Sequence, residues 1–447
     1  MKIYTVRIFL SFLFFFLLFV EANAEDLWNL QGCIDYAVQN NPELQAAEAN
    51  IKVSTYGLDY QKKLFFPRLD LNTSTGFLEG EPTSSFAVIR GVTEEGISSR
   101  NISGQYISAA LTLSIPVFRE GVLFSNNAPS INKVASQILL DKSSYEAKKN
   151  ELAYNTGTSF FNLLKNKEDI KTSEEQLKYS KLYNEIARAK YKEELISKND
   201  LLLSEVKLAS AEKELTTYRN LTQVLMADLS IKMGLDPAKP ITISEDDFIL
   251  PVLLPLDKLF DIAISSRHEI KEQEMRISMA NEEQRLSKSQ RYPDISIVSS
   301  YSVANDYGSH ENSLWNGMLQ LNMPVFDFGA ITSKIKSQEA KVAVEEKLLL
   351  SIKGNIIQKV ITAFININNA MSEIALKEKT VEQSMENTRL VKAQFEQNLL
   401  PLSSVLDAEY ILYANKKALS EARYNLRLAY LELLRATASN PTRLSQQ

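Results

Sequence analysis

Apolar residues recur along this chain with two different periods, and the changes of period mark its elements. Leu69, Leu71, Thr73, Thr75 and Phe77 alternate with Arg68, Asp70, Asn72 and Ser74. Further on, Ile107, Ala109, Leu111, Leu113, Ile115 and Val117 alternate with Ser108, Thr112 and Ser114. The pattern returns with Ile295, Ile297, Tyr301 and Val303, and then with Trp315, Leu319, Leu321, Met323 and Val325 against Asn316, Gln320 and Asn322. Period two predicts four strands, each with one apolar and one polar face, and with polar faces almost free of apolar residues. Elsewhere the spacing is three and four. Leu349, Ile352, Ile356, Val360, Phe364, Ile367, Met371 and Ile374 form one such stripe, as expected of a helix. Segments 34–64 and 258–288, rich in Ala, Glu, Gln, Lys and Leu, also read as helices. After the second strand of each pair, 121–194 and 329–397 run on without a convincing stop. As single helices they would be about 110 and 104 Å long; a start at Pro129 leaves about 98 Å for the first. The shorter helical pieces 200–233 and 401–437 follow them. Such lengths require lateral burial of the apolar stripes in a coiled-coil-like or barrel wall.

The order helix, strand, loop, strand, long helix, turn, helix occurs twice. Asn41-Pro42-Glu43-Leu44 matches Arg267-His268-Glu269-Ile270 at an offset of 226, which also aligns Pro67 with Pro293 and Leu69 with Ile295. Ile115-Pro116-Val117-Phe118-Arg119-Glu120-Gly121 matches Met323-Pro324-Val325-Phe326-Asp327-Phe328-Gly329 at an offset of 208, so the first half carries 18 extra residues between its strands. From Leu195 to Glu205 the offset to Leu399–Glu409 is 204. The expected organisation is a first repeat at 25–233, a proline-marked linker at 234–257, a second repeat at 258–437 and a tail at 438–447.

Four strands leave two open edges. A hairpin of a soluble sheet has the same alternation, but here no further strands exist to cover or close the sheet. Backbone groups at an open edge cannot stay unpaired in lipid, so a membrane barrel must close between chains. Two copies would give eight strands and barely a pore, whereas three would give twelve and room for a channel. In that barrel Arg68, Asp70, Asn72, Ser108, Thr112, Asn316, Gln320 and Asn322 would face the lumen. Residues 78–104 and 304–314 would be its outward loops.

The N-terminus reads as an export signal, with Lys2 and Arg7, an apolar core from Ile8 to Val20, and Ala22-Asn23-Ala24 before Glu25. Leu30-Gln31-Gly32-Cys33 loosely resembles a lipidation site, but Glu25 and Asp26 separate it from the apolar core. Cys33 is then a lone thiol, so stability must come from packing and assembly. No later segment approaches a transmembrane helix. The formal charge of −5 gives no basic footprint for nucleic acid. His268 and His310 lack a second ligand at useful spacing, so no metal is expected. There is no phosphate-cradling glycine loop and no nucleophile elbow; neither an enzyme nor a cofactor is expected.

Taken with Asn40-Asn41-Pro42-Glu43-Leu44, Phe66-Pro67-Arg68-Leu69, the two Pro-Val-Phe segments and Val405-Leu406-Asp407-Ala408-Glu409, these features resemble the TolC-type outer-membrane efflux proteins over essentially the whole mature chain. The resemblance implies a mainly α fold with a transmembrane β part: a homotrimer with a twelve-stranded barrel in the outer membrane, continued by an α-helical barrel in the periplasm. It further implies a passive duct docking to a periplasmic adaptor and an inner-membrane pump, with acidic side chains ringing a constricted tip. Asp407 matches such a position, Asp200 is the polar residue at the equivalent turn, and Ser404 stands where a second acid is common. Both aspartates also read as capping or solvated acids at a helix start, and Asp200 sits where an N-cap would be useful. Glu194 and Asn398 replace the glycine usual before the tip turn, and Phe395 and Leu400 replace polar or basic latch residues. The competing expectation is a soluble periplasmic coiled-coil adaptor or scaffold.

Overall fold

The computed structural model describes residues 27–80, 102–125, 127–244, 252–306 and 310–438. The expected signal at 1–24, most of the loop 78–104 and nearly all of the tail therefore lie outside the described residues. Contacts divide the chain into two compact units.

The unit built from 47–146 and 268–354 carries the sheet. Its strands are β2 (Arg68–Gly80), β3 (Ile102–Arg119), β6 (Asp294–Asp306) and β7 (His310–Asn322), in the order β2-β3-β6-β7, with a two-residue strand β4 (Val122–Leu123) beside β3. All neighbours are antiparallel. The strands run further into the expected outward loops than the alternation implied. Of the two starts open for the first long helix, 121 and Pro129, the structure takes Pro129, because Gly121 and β4 intervene and proline is pre-organised for a first helical turn.

The register sorts the two faces. One row across the sheet is Leu71, Leu111, Tyr301 and Trp315; the row beside it is Asp70, Thr112, Ser300 and Asn316. The apolar row is bare, with Leu71 68% and Trp315 71% exposed. The polar face is less pure than the sequence suggested: Val298, Leu314 and Met318 lie on it, since they share the parity of Ser300 and Asn316. Helices α2 (Pro42–Lys63) and α6 (His268–Ser289) belong largely to this unit.

The other unit comprises 1–46, 147–267 and 355–447. It contains α1 (Leu30–Asn40), α4 (Lys198–Met233), α5 (Leu256–Ser266), α8 (Leu402–Thr437), and the later parts of α3 (Pro129–Lys192) and α7 (Ala330–Glu396). Strand β1 (Leu27–Trp28) pairs in parallel with β5 (Thr242–Ile243), and Lys167 donates to the Ile243 carbonyl at 2.9 Å.

The segments 34–64 and 258–288 are each two helices rather than one. Asn41 and Arg267 are extended at ψ 125° and 128°. At Asn41 the following proline disfavours the helical region. Arg267 has no proline after it, and its fixed position comes from a contact described below. A second correction concerns α7, which is long and apolar enough to cross a membrane by length and composition. Its apolar residues extend beyond the buried line Ile356, Val360, Ala363 and Ile367 to exposed positions such as Leu350 and Ile365.

A polar line runs through the buried face of α3, beside Phe160, Phe161 and Leu163. Ser159, Asn166, Ser173 and Ser180 recur every seven residues and are all buried. Partners of the first three come from α4 and α8: Ser159 donates to Asp228 at 2.5 Å, Asn166 to Thr222 Oγ1 at 2.8 Å, and Ser173 bonds Tyr413 Oη at 3.0 Å. A polar side chain in a coiled-coil seam fixes register at some cost in stability.

Candidate functional site

Two places could carry function: the polar face of the sheet, and the turns joining α3 to α4 and α7 to α8. On the sheet, Arg68 bonds Asp70 at 2.6 Å, so opposite charges on that face are already paired. Asn316 Oδ1 accepts from Ser300 Oγ at 2.6 Å, and Ser74 bonds Ser108 at 2.7 Å. Asp70, Thr112 and Asn316 thus share one row, Arg68 the row below, and Asn72, Ser108, Gln320 and Asn322 the same parity elsewhere. The eight polar residues singled out from the alternation therefore occupy one face.

Both helical turns close in the same way. Glu194 and Asn398 have φ +57° and +56°. The N–H of Leu195 reaches back to the Lys190 carbonyl and that of Leu399 to the Gln394 carbonyl, each at 2.9 Å. This is the six-residue closure of a Schellman turn, with a left-handed residue at its pivot. Lys190 links the turns: its ammonium lies 4.2 Å from the Phe395 ring centroid and 3.4 Å from Asn398 Oδ1. An apolar cluster of Tyr183, Ala187, Leu402, Val405 and Leu406 packs beneath them.

Asp200 is engaged in a capping box. Its N–H is held by Ser197 Oγ at 3.1 Å, while its carboxylate accepts from the Ser197 N–H at 3.2 Å. Ser404 is half-buried, its N–H bonded to the Pro401 carbonyl at 3.1 Å. Asp407 sits one turn further along α8 with a side chain 65% exposed, 3.4 Å from Lys207 of α4. Among the described residues, none of these three hydrogen-bonds another.

Sequence reasoning missed the titratable groups inside the helical packing. Lys392 pairs with the buried Glu409, and its ammonium lies 4.8 Å from the Tyr179 ring centroid. Burial pulls Lys392 down, but the Glu409 carboxylate outweighs it and holds the lysine above its ordinary range. Lys417 bridges to Glu214 at 3.2 Å beside Tyr218. Asp169 is buried on α3 with one carboxylate oxygen unpartnered, and burial raises it above the usual carboxylate range. These pairings depend on how separate helices are registered, and no local spacing announces that. No His/Cys/Asp/Glu cluster fit for a metal occurs among the described residues.

The family model described as "Outer membrane efflux protein" matches residues 33–234 and again 259–439, one match in each half. The chain is 20% identical to the outer membrane protein TolC of Escherichia coli (strain K12) over 427 residues, covering 91% of this chain and 81% of that protein. Among solved structures it resembles the Campylobacter jejuni CmeC outer membrane channel, with TM-score 0.76, 14% identity, and coverage of 91% of this chain and 85% of that one. It also resembles the Neisseria gonorrhoeae MtrE outer membrane channel, with TM-score 0.70, 17% identity, and coverage of 92% and 89%. With the family model spanning both halves, this chain belongs to the outer membrane efflux protein family.

Proposed function

We propose that three copies of this chain close into a twelve-stranded barrel whose lumen is lined by Arg68, Asp70, Asn72, Ser108, Thr112, Asn316, Gln320 and Asn322. The duct is passive, and a periplasmic adaptor and an inner-membrane pump supply the driving force. The observation that carries this reading is the sheet itself: four antiparallel strands with an exposed apolar face, a hydrogen-bonded polar face and two free edges. In lipid the apolar face is solvated by acyl chains, and the free edges find partners only in further copies. On this reading residues 1–24 are removed on export, 25–233 and 258–437 act as two copies of one unit, and 234–257 joins them. Asp407 is the leading gate residue of the helical turns. Ser404 contributes a hydroxyl beside it, and Asp200 stiffens the opposite turn through its capping box.

The test is fractionation followed by electrophysiology. The duct reading expects a detergent-requiring trimer in outer-membrane fractions that dissociates on heating and conducts ions in planar bilayers. A freely soluble monomer released by osmotic shock overturns it in favour of an adaptor or scaffold.

A further inference from the structure

The duplication makes the missing half of the barrel's strand pairing calculable. Hairpin β2–β3 pairs Arg68 with Ser114, and β6–β7 pairs Asp294 with Asn322. Adding the repeat offsets of 226 and 208 to the first pair yields the second, so both hairpins share one register. The backbone beyond agrees: Glu120 and Gly121 are left-handed at φ +55° and +77°, and Phe328 and Gly329, 208 residues on, at +52° and +86°. Within the chain the halves meet where β3 pairs with β6, Ser114 opposite Val298 and Thr112 opposite Ser300. The equivalent junction from the second half back to a first half is β7 against β2. Those two strands are the free edges of the sheet.

We propose that β7 of one copy pairs with β2 of the next in the register of β3 and β6, setting Asn322 opposite the partner's Asn72 and Gln320 opposite the partner's Ser74. The proposal rests on the trimeric duct above and specifies its intersubunit seam. The same register sets Leu321 opposite the partner's Thr73 and Leu319 opposite the partner's Thr75. Polar positions therefore meet polar ones on the inner face, and outer-face positions stay together; a slip of one residue would mix them.

A second observation agrees. In the first half, Ile115 and Phe118 lie beside Ile297 and Ile295 of β6, and Val117 and Phe118 are half-buried. Their counterparts in the second half have no strand beside them, leaving Val325 94% and Phe326 75% exposed. The irregularity between Pro116 and Phe118 carries over to Pro324 and Phe326. It brings Phe326 opposite the partner's Leu69, an exposed apolar side chain in the lone protomer. The two bare surfaces cover one another.

Four cysteine sites in a Cys33→Ala background test this: Asn72→Cys or Ser74→Cys combined with Asn322→Cys or Gln320→Cys. Directly opposed residues have Cα atoms about 4.5–5.5 Å apart, inside the disulfide range, whereas a slip of two residues moves them to about 7–8 Å. Purified trimers are oxidised with copper phenanthroline and run boiled without reductant. The pairs 72/322 and 74/320 are expected to form covalent dimers and trimers roughly tenfold faster than 74/322 and 72/320. Preferential linkage of either slipped pair overturns the register, and a trimer that none of the four pairs links overturns the β7–β2 seam. A chain that runs as a monomer before oxidation, with or without the cysteines, overturns the trimeric reading instead.

Discussion

Arg267 donates its guanidinium to the main-chain carbonyl of Ala436 at 3.0 Å, and the same group reaches Arg435 O at 3.0 Å. In the other half Asn41 donates its amide to the Lys232 carbonyl at 2.9 Å, at the end of α4. Lys232 and Ala436 are 204 residues apart, the offset of the later repeat. Each half thus ties the break between its first two helices to the C-terminus of its last helix, where carbonyls lack helical partners. We predict that Arg267→Met lowers unfolding free energy by about 2 kcal/mol or more, because a buried and a part-buried carbonyl lose a charged donor. Asn41→Ala should also destabilise, since Asn41 Oδ1 caps α2 through the N–H groups of Glu43 and Leu44. Denaturant unfolding of the purified variants measures both; an Arg267→Met protein as stable as wild type refutes the role.

Those two residues also show what the sequence revealed. Asn41-Pro42 advertises its break through proline, whereas Arg267-His268 does not, and only the alignment of the halves connects them. Strand faces were legible because parity is local: Asp70, Asn72 and Arg68 fall on one face of any strand that contains them. Val298 and Met318 share that parity and make the face less polar than the alternating positions alone implied. The tip acids were visible as positions but not as roles. Asp200 is fixed by Ser197, a neighbour in sequence, while the partner of Asp407 is Lys207 on another helix. The serines and asparagine of the α3 seam look like a solvated face until the packing of α4 and α8 against them is known.

Glu194 is held at φ +57° at a turn where Asn398 occupies the matching position. A left-handed conformation costs a residue with a Cβ roughly 1 kcal/mol relative to glycine, and asparagine less than glutamate. Glu194→Gly should therefore raise stability by about 1 kcal/mol, and Asn398→Gly by a smaller amount. Thermal melts compare them. A destabilised Glu194→Gly protein would mean that the glutamate side chain contributes more than its backbone conformation costs.

Two carboxyl groups should impose opposite pH slopes. Asp327 caps α7, accepting from the N–H groups of Ile331 at 2.7 Å and Gly329 at 2.9 Å. Those bonds hold it below the usual carboxylate range. Its contribution is present above the unfolded-state value and disappears as pH falls through the folded one. Asp169 is raised by burial, an effect opposed by Lys165 and Lys417 and reinforced by Glu421 and Glu168. The native state therefore keeps a proton that the unfolded chain has lost, and stability declines as pH rises from the unfolded value toward the folded one. Asp327→Asn should weaken the protein at neutral pH more than at a pH below the ordinary carboxylate region near 4, where the folded-state carboxylate takes up its proton. Asp169→Asn should strengthen it at neutral pH with little change near pH 4. Equal shifts at both pH values would remove the titration argument.

Cys33 lies within α1 and is fully buried. A lipid-bearing cysteine must be the first residue of the mature chain, so acylation there would remove β1 and its pairing with β5. We expect the native protein to resist maleimide and to react stoichiometrically once unfolded in guanidinium, as mass spectrometry would register. Rapid native labelling would show that α1 opens readily.

The ion pair of Asp407 and Lys207 separates a gate from a cap. Lys207 lies 3.4 Å from the carboxylate and its ammonium 4.7 Å from the Tyr410 ring centroid. Asp407 is exposed and Lys207 half-buried, so breaking the pair should change stability by only about 1 kcal/mol or less. If Asp407 gates the trimeric duct as proposed, the electrostatic consequence is larger, because each substitution would be repeated around the axis and like charges in a constriction reinforce one another. Lys207→Met leaves Asp407 uncompensated and should shift reversal potentials toward greater cation selectivity. Asp407→Ala should shift them the opposite way, and the double variant should behave like Asp407→Ala. A Lys207→Met channel with unchanged selectivity and conductance would mean that permeating ions do not sense Asp407, and would assign it to the packing of α8 against α4.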